Sequence, residues 1–189
     1  MTKFLGILAL VALSGVPVMA QSSTPGLEVG GGYTLRVYTS PFTGQKLYMN
    51  GWNGTAEYGI KRWLSAAVDF DGAYADTGLN GRYSIYTAMI GPQFYPLGHR
   101  KFTLFGHVLV GGGYARYRLP ASGGFPVTTT GSDSRAYEAG GGLEYARNSR
   151  WTIRLAEADY EGTKFSNSGG TSYNNYKYRF VIIYHFGEK

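Results

Sequence analysis

Between Tyr176 and Phe186 the chain alternates without a break. Tyr176, Tyr178, Phe180, Ile182, Tyr184 and Phe186 fall on one parity, and Lys177, Arg179, Val181, Ile183 and His185 on the other. A period of two belongs to a β-strand, whose successive side chains point to opposite faces. The stretch matches the roughly 9–11 residues with which a tilted strand crosses a bilayer. Aromatics at its ends with Ile182 between them fit the girdles and apolar middle of a lipid-facing strand. The backbone groups of a lone strand would go unsatisfied in hydrocarbon, so such a strand requires a closed barrel.

The same alternation recurs along the chain. Val29, Gly31, Tyr33, Leu35 and Val37 share a face in Leu27–Tyr38, and Trp52, Gly54, Ala56, Tyr58 and Ile60 form the next apolar row. Leu64–Tyr74, Tyr83–Tyr95, Phe102–Tyr117, Ala136–Ala146 and a strand from Trp151 follow. With the opening stretch this predicts an all-β fold, an eight-stranded antiparallel up-and-down transmembrane β-barrel. Connections near 61–63, 95–101 and 147–150 are short, and those at 39–48, 75–82, 117–134 and 161–172 are longer and polar. Such alternation is that of short periplasmic turns and longer external loops, with both termini periplasmic.

The faces are inverted relative to a soluble barrel. Glu28, Arg36, Glu57, Asp69, Asp71, Glu138, Glu144, Arg154, Lys177 and Arg179 lie on the parity opposite the apolar rows, together with His185. An eight-stranded barrel has an interior just wide enough for side chains, so these residues are expected to form a lumen network rather than line a pore. Strict alternation would put Glu157 and Asp159 in lipid. A β-bulge near Leu155–Ala156 is therefore predicted, turning both acids inward, with Ala156 itself expected inside. Matching Tyr145 with Ile153 and Leu143 with Leu155 sets Glu144 opposite Arg154. Pro92 lacks a ladder donor and predicts a local irregularity. Trp52, Tyr145, Trp151, Tyr176, Tyr184 and Phe186 are the expected interface aromatics.

Met1–Ala20 reads as a secretory signal peptide, with Lys3, an apolar core and Val18-Met19-Ala20 before Gln21. The expected organisation is signal peptide 1–20, lead-in 21–26 and barrel 27–187. Glycine, at 29 of 189 residues, is about twice its usual share of ~7%. The net charge is +6, and a chain starting at Gln21 would carry +5. Its basic residues are dispersed, so nucleic-acid binding does not follow. Cysteine is absent, which excludes disulfides and thiolate metal sites. No phosphate-loop, dinucleotide, zinc-protease or nucleophile-elbow motif is found. His99 falls in a turn, away from His107 and His185 on strands, so no metal, cofactor or catalytic residue is predicted.

Gly140–Arg154 resembles the Gly-rich strand, tight turn and Arg-bearing next strand of the small eight-stranded outer-membrane barrels, OmpA-type and opacity-type. Ile90–Gln93 and Phe105–Gly113 look like a subgroup of single-domain members. The final strand resembles the signal read by the outer-membrane assembly machinery: Arg179, Tyr184 and Phe186 fit, while Val181 stands where the pattern has glycine. The resemblance implies a barrel in the outer membrane of a Gram-negative-type cell, and a monomer is expected. Its roles range over anchoring and adhesion.

The expected function is non-enzymatic, structural or surface-binding, with a narrow passive channel as the alternative and a lipid-modifying enzyme ranked below it. The loops 121–132 and 165–175 combine Ser, Gly, Asn and Thr with aromatics, as recognition loops do. Lys46, Arg82, Arg116, Arg118, Arg135 and Lys164 lie at or near the outer rim, where lipopolysaccharide phosphates would suit them. The expected partners are outer-membrane lipid, lipopolysaccharide and the assembly machinery.

Overall fold

Alternating sequence becomes alternating exposure in the computed structural model, which describes residues 26–39, 46–77, 81–96, 101–119, 128–165 and 172–186. Eight strands follow in chain order: β1 (Leu27–Thr39), β2 (Lys46–Lys61), β3 (Leu64–Thr77), β4 (Gly81–Phe94), β5 (Phe102–Leu119), β6 (Thr128–Ala146), β7 (Trp151–Phe165) and β8 (Ser172–His185). Each pairs antiparallel with its neighbours and β8 closes on β1, giving a barrel without edges. The expected signal peptide, most of the lead-in, His99 and parts of the polar loops lie outside the described residues.

Strands outlast the expected loops. β3 runs to Thr77 and β4 starts at Gly81, so the stretch read as a loop at 75–82 is mostly ladder, with Ala75↔Tyr83 and Asp76↔Arg82 paired. Only residues 78–80 join the two strands, so connection length does not alternate strictly. Likewise β5 and β6 extend to Leu119 and back from Thr128. Polar composition marks where the wall leaves lipid, but a backbone ladder needs no apolar side chains to continue.

The bulge falls at Leu155. Glu144 pairs with Arg154 and Leu143 with Ala156, so Leu155 is the extra residue. Leu155 and Ala156 are both exposed, and Glu157 and Asp159 are buried. Ala156 thus faces outward, not inward, and Leu143 lies opposite Ala156 rather than Leu155. Two bulge residues oppose one partner, so the parity changes one position later than a simple count places it. At Pro92 the β4–β5 ladder skips from Ile90↔Val110 to Gln93↔His107 without changing register. The missing N–H opens the ladder there without adding a residue.

Outside, an apolar middle sits between two aromatic rings. At the turn end Trp63 stacks on Phe94 at 6.3 Å, Phe102 meets Tyr145 at 5.0 Å, and Tyr184 contacts Trp151 at 4.9 Å and Phe186 at 4.8 Å. At the loop end Tyr74 meets Tyr86 at 5.8 Å, and Tyr160 lies between Tyr137 and Tyr176. Trp52 donates to the Tyr74 hydroxyl at 3.2 Å. Exposed Leu27, Val29, Phe70, Ile90, Val108, Val110 and Ile182 contribute to the apolar surface, which suits lipid rather than water.

Val181 finds its explanation on the neighbouring strand. It is buried opposite Gly32, and a Cβ on Gly30 would stand 2.9–3.0 Å from Val181, Ile183 and Thr55. A Cβ on Gly32 would strike the Phe180 carbonyl. The space that a glycine at 181 would vacate is vacated instead by β1, and Val181 and Ile183 fill it.

Candidate functional site

The inward parity of all eight strands converges on one lumen. Glu28, Arg36, Glu57, Asp69, Asp71, Glu138, Glu144, Arg154, Glu157, Asp159, Lys177, Arg179 and His185 are each at most 5% exposed. Buried charges are tolerable only when paired and hydrogen-bonded.

At the turn end, His185 Nδ1 lies 2.8 Å from Glu28 Oε1 and its Nε2 lies 2.7 Å from Thr152 Oγ1. Thr152 and Glu28 thus flank the imidazole on its two nitrogens, and the three side chains join β1, β7 and β8. A hydroxyl, an imidazole and a carboxylate in this order form the relay that activates nucleophiles. All three are about 95% buried, however.

One layer in, Arg154 gathers three carboxylates. Its Nη2 donates to Glu57 at 2.6 Å and Glu144 at 2.7 Å, its Nε to Glu144 at 3.0 Å, and its Nη1 to Glu157 at 3.3 Å. Its guanidinium lies over the Phe105 ring at 4.1 Å. Gln93 and Tyr95 occupy the far oxygen of Glu57 at 2.8 and 2.6 Å.

Arg179 holds the middle. It reaches Asp69 at 2.7 Å, Glu138 at 2.5 Å, Glu157 at 2.9 Å and Asp159 at 3.0 Å. His107 sits against the same acids, 3.2 Å from Asp159 and 3.3 Å from Glu138. Ligand atoms of His107, Glu157 and Asp159 lie within 4.8 Å of one another, a set able to hold a metal. Arg179 already donates to both carboxylates, so a guanidinium fills the place of a cation. This trio is not the three-histidine set weighed from sequence, of which His99 lies outside the described residues and His107 and His185 share no partner.

Towards the loops Lys177 bonds Asp71 at 2.9 Å, Glu161 at 3.2 Å, and Glu138. Arg36 meets Glu161 at 3.1 Å and Thr87 at 3.2 Å. Above this layer Tyr38, Met49, Ala73, Ala75, Ile85 and Ala115 form an apolar cluster inside the barrel, with Leu47 and Tyr83 against it. Tyr38 stacks on Tyr83 at 5.5 Å. A charged column is thus closed by an apolar lid.

Sequence reading passed over the lid and Glu161. Glu161 belongs to β7 rather than to the loop expected at 161–172, and it continues the parity of Glu157 and Asp159. The lid residues sit on the inward parity of segments read mainly for their charges.

Trp52, Trp151, Tyr176 and Phe186 are 44–53% exposed on the outer wall, and Tyr145 and Tyr184 are half-buried in the turn-end ring. Lys46, Arg82, Arg116, Arg118, Arg135 and Lys164 are all exposed near the loop end.

Solved structures with this architecture include three small outer-membrane proteins. Ail, the attachment invasion locus protein of Yersinia pestis, solved with the heparin analogue sucrose octasulfate, is 20% identical, with a TM-score of 0.63 over 86% of this chain and 99% of that one. Neisserial surface protein A is 14% identical, with a TM-score of 0.70 over 87% and 100%. OprG of Pseudomonas aeruginosa is 16% identical, with a TM-score of 0.52 over 86% and 97%. No curated protein sequence matches the chain. The family model for the outer membrane protein beta-barrel domain matches residues 6–186. Inverted faces, a closed eight-stranded wall and this match together make the chain a member of the outer-membrane β-barrel protein family.

Proposed function

We propose that the protein is a non-enzymatic outer-membrane barrel that works through its outer surface and loops. The observation that carries this reading is the lumen. Layers centred on Arg154, Arg179 and Lys177 fill its cross-section, and the apolar lid closes its loop end. Among the described residues the inward side chains are spent on one another, which supports assigning the protein's work to the outer wall and the polar loops. The exposed basic residues of the loop end suit anionic partners, lipopolysaccharide above all. That Ail accommodates a polysulfated sugar agrees with such a surface.

In this reading residues 1–20 direct export and are removed, and the assembly machinery inserts residues 27–187 as a monomer with periplasmic termini. Planar-bilayer recording tests it. The purified barrel should add no discrete conductance steps, and cells lacking it should keep an unchanged lipid A mass spectrum. Steady ion steps would favour the narrow channel; altered lipid A would favour an enzyme.

A further inference from the structure

Positive charge rings the turn end of the barrel. Lys61 and Arg62 stand between β2 and β3, Lys101 precedes β5, and Arg147 and Arg150 belong to the turn between β6 and β7. All five are exposed. Residues 61–63, 95–102 and 147–151 contain no Asp or Glu. Glu28, Glu57 and Glu144 near this end turn inside, to His185 and Arg154. The loop end differs, because exposed Asp76 and Asp133 accompany its basic residues. A rim of one sign attracts anions from outside the protein.

Ring and backbone contacts fix the height of this charge. The Lys61 ammonium lies 5.6 Å from the centroid of the Trp63 ring, and the Lys101 ammonium 5.8 Å from that of Tyr145. Both rings belong to the turn-end aromatic girdle, through Phe94 and Phe102. Asn148 Oδ1 accepts from the N–H groups of Arg150 and Trp151 at 2.9 and 2.8 Å, which holds the turn carrying Arg147 and Arg150. The Arg150 carbonyl accepts from the His185 N–H at 2.9 Å, and the Lys101 carbonyl from the Ala146 N–H at 2.9 Å. The basic side chains therefore rise from anchored backbone at the level of the interfacial aromatics, where lipid headgroups begin.

Their distribution selects the partner. The five cations are spread over all three hairpin turns of this end, around the wall rather than at one point of it. A partner that meets them all must itself surround the barrel, as the headgroups of the lipid annulus do. Lys and Arg both suit phosphate oxygens. A zwitterionic headgroup offsets its phosphate with its own cation, so a net-anionic one gains more from the rim. We propose that the turn-end rim is a binding surface for anionic glycerophospholipids, whose phosphates meet Lys61, Arg62, Lys101, Arg147 and Arg150. The proposal rests on the periplasmic placement of the turns, which makes the periplasmic leaflet the source of the lipid. It gives a ligand class to the end of the barrel opposite the loops.

Quenching by brominated lipid tests the surface, because two of the three tryptophans, Trp63 and Trp151, lie in the turn-end girdle. A parent barrel carrying Trp52→Phe is refolded into vesicles of phosphatidylcholine and phosphatidylglycerol, one or the other dibrominated, and the relative association constant is read from the fluorescence. The turn-end tryptophans should report a preference of about threefold for phosphatidylglycerol, as exposed charge contacts give. Lys61→Gln/Arg62→Gln/Lys101→Gln/Arg147→Gln/Arg150→Gln should bring the preference to about one. So should about 1 M salt, where the screening length is about 3 Å. A companion barrel with Trp63→Phe/Trp151→Phe, read through Trp52, should not respond to the five substitutions. Equal association of both lipids with the parent, or an unchanged preference in the quintuple variant, overturns the proposal. Co-sedimentation with purified peptidoglycan sacculi that the five substitutions abolish, without a lipid preference, would assign the rim to the cell wall and overturn it as well. Folding is read in parallel as faster migration of the unheated protein on a denaturing gel. Should the quintuple variant fail to fold, Arg147→Gln/Arg150→Gln carries the comparison, with the preference expected to fall to about twofold. The chain has no cysteine, so Arg62→Cys gives a single thiol. Its labelling on intact cells by a membrane-impermeant maleimide would overturn the leaflet assignment, whereas a conducting barrel would refute the proposed function and leave this surface standing.

Discussion

Arg154→Ala isolates what the lumen contributes. The side chain is fully buried and donates to Glu57, Glu144 and Glu157, and its removal strands Glu144 and takes one partner each from Glu57 and Glu157, around a hole beside Phe105. Breaking a buried pair by deleting one partner costs about 3–5 kcal/mol, because the remaining charge stays desolvated. Here one cation serves three acids, so the upper part of that range is expected. At about 1.4 kcal/mol per decade, this shifts the unfolding equilibrium by roughly two to four orders of magnitude. The assay is equilibrium urea unfolding of the refolded barrel in detergent micelles, followed by tryptophan fluorescence and by gel mobility. Arg154→Ala should lower the midpoint sharply. Arg154→Met combined with Glu144→Gln and Glu57→Gln should recover much of the loss, since it keeps the volume and removes stranded charge. Equal midpoints for wild type and Arg154→Ala would refute the reasoning and mean that water, not protein, solvates these carboxylates.

Deleting Leu155 removes the bulge and turns Glu157 and Asp159 towards lipid while stripping partners from Arg179, a loss on the order of 5 kcal/mol; no heat-modifiable band should form. Gly30→Ala places a methyl group against Val181, Ile183 and Thr55 and should destabilise by about 1–3 kcal/mol. Adding Val181→Ala should relieve that loss in the same urea titration, and an additive loss would show that the two positions do not share space. Removing the lid with Tyr38→Ala/Met49→Ala should leave bilayers silent, because the charged layers beneath still fill the lumen; conductance in this variant would make the lid the only barrier.

The wall was legible in the sequence because lipid, strand and barrel impose one repeated rule. Parity sorts nearly every described strand side chain into outside or inside, and it even required the bulge, since two acids in hydrocarbon are intolerable. Two kinds of feature escaped it. Ala156 shows that a bulge resets parity over two residues rather than at a point. Glu161 and the strand ends at Thr77 and Leu119 show that polar composition reports solvent, not the end of a ladder. Within the lumen, sequence names few partners: Glu144–Arg154 follows from a hairpin register, and Glu28 for His185 from closure of the last strand on the first. The contacts of Arg179 with Asp69 and of Lys177 with Asp71 join residues more than a hundred positions apart and depend on closure.

The lumen charges are also distributed unevenly along the chain. Among the described residues, nine buried carboxylates come from β1, β2, β3, β6 and β7, whereas two of the four buried Lys and Arg cations, Lys177 and Arg179, sit on β8. Without β8 the wall would set nine buried carboxylates against two buried cations, Arg36 and Arg154. The two cations of β8 meet carboxylates on β3, β6 and β7. The strand made last is therefore also the counter-charge for those made before it, and neutralisation of the interior coincides with completion of the barrel.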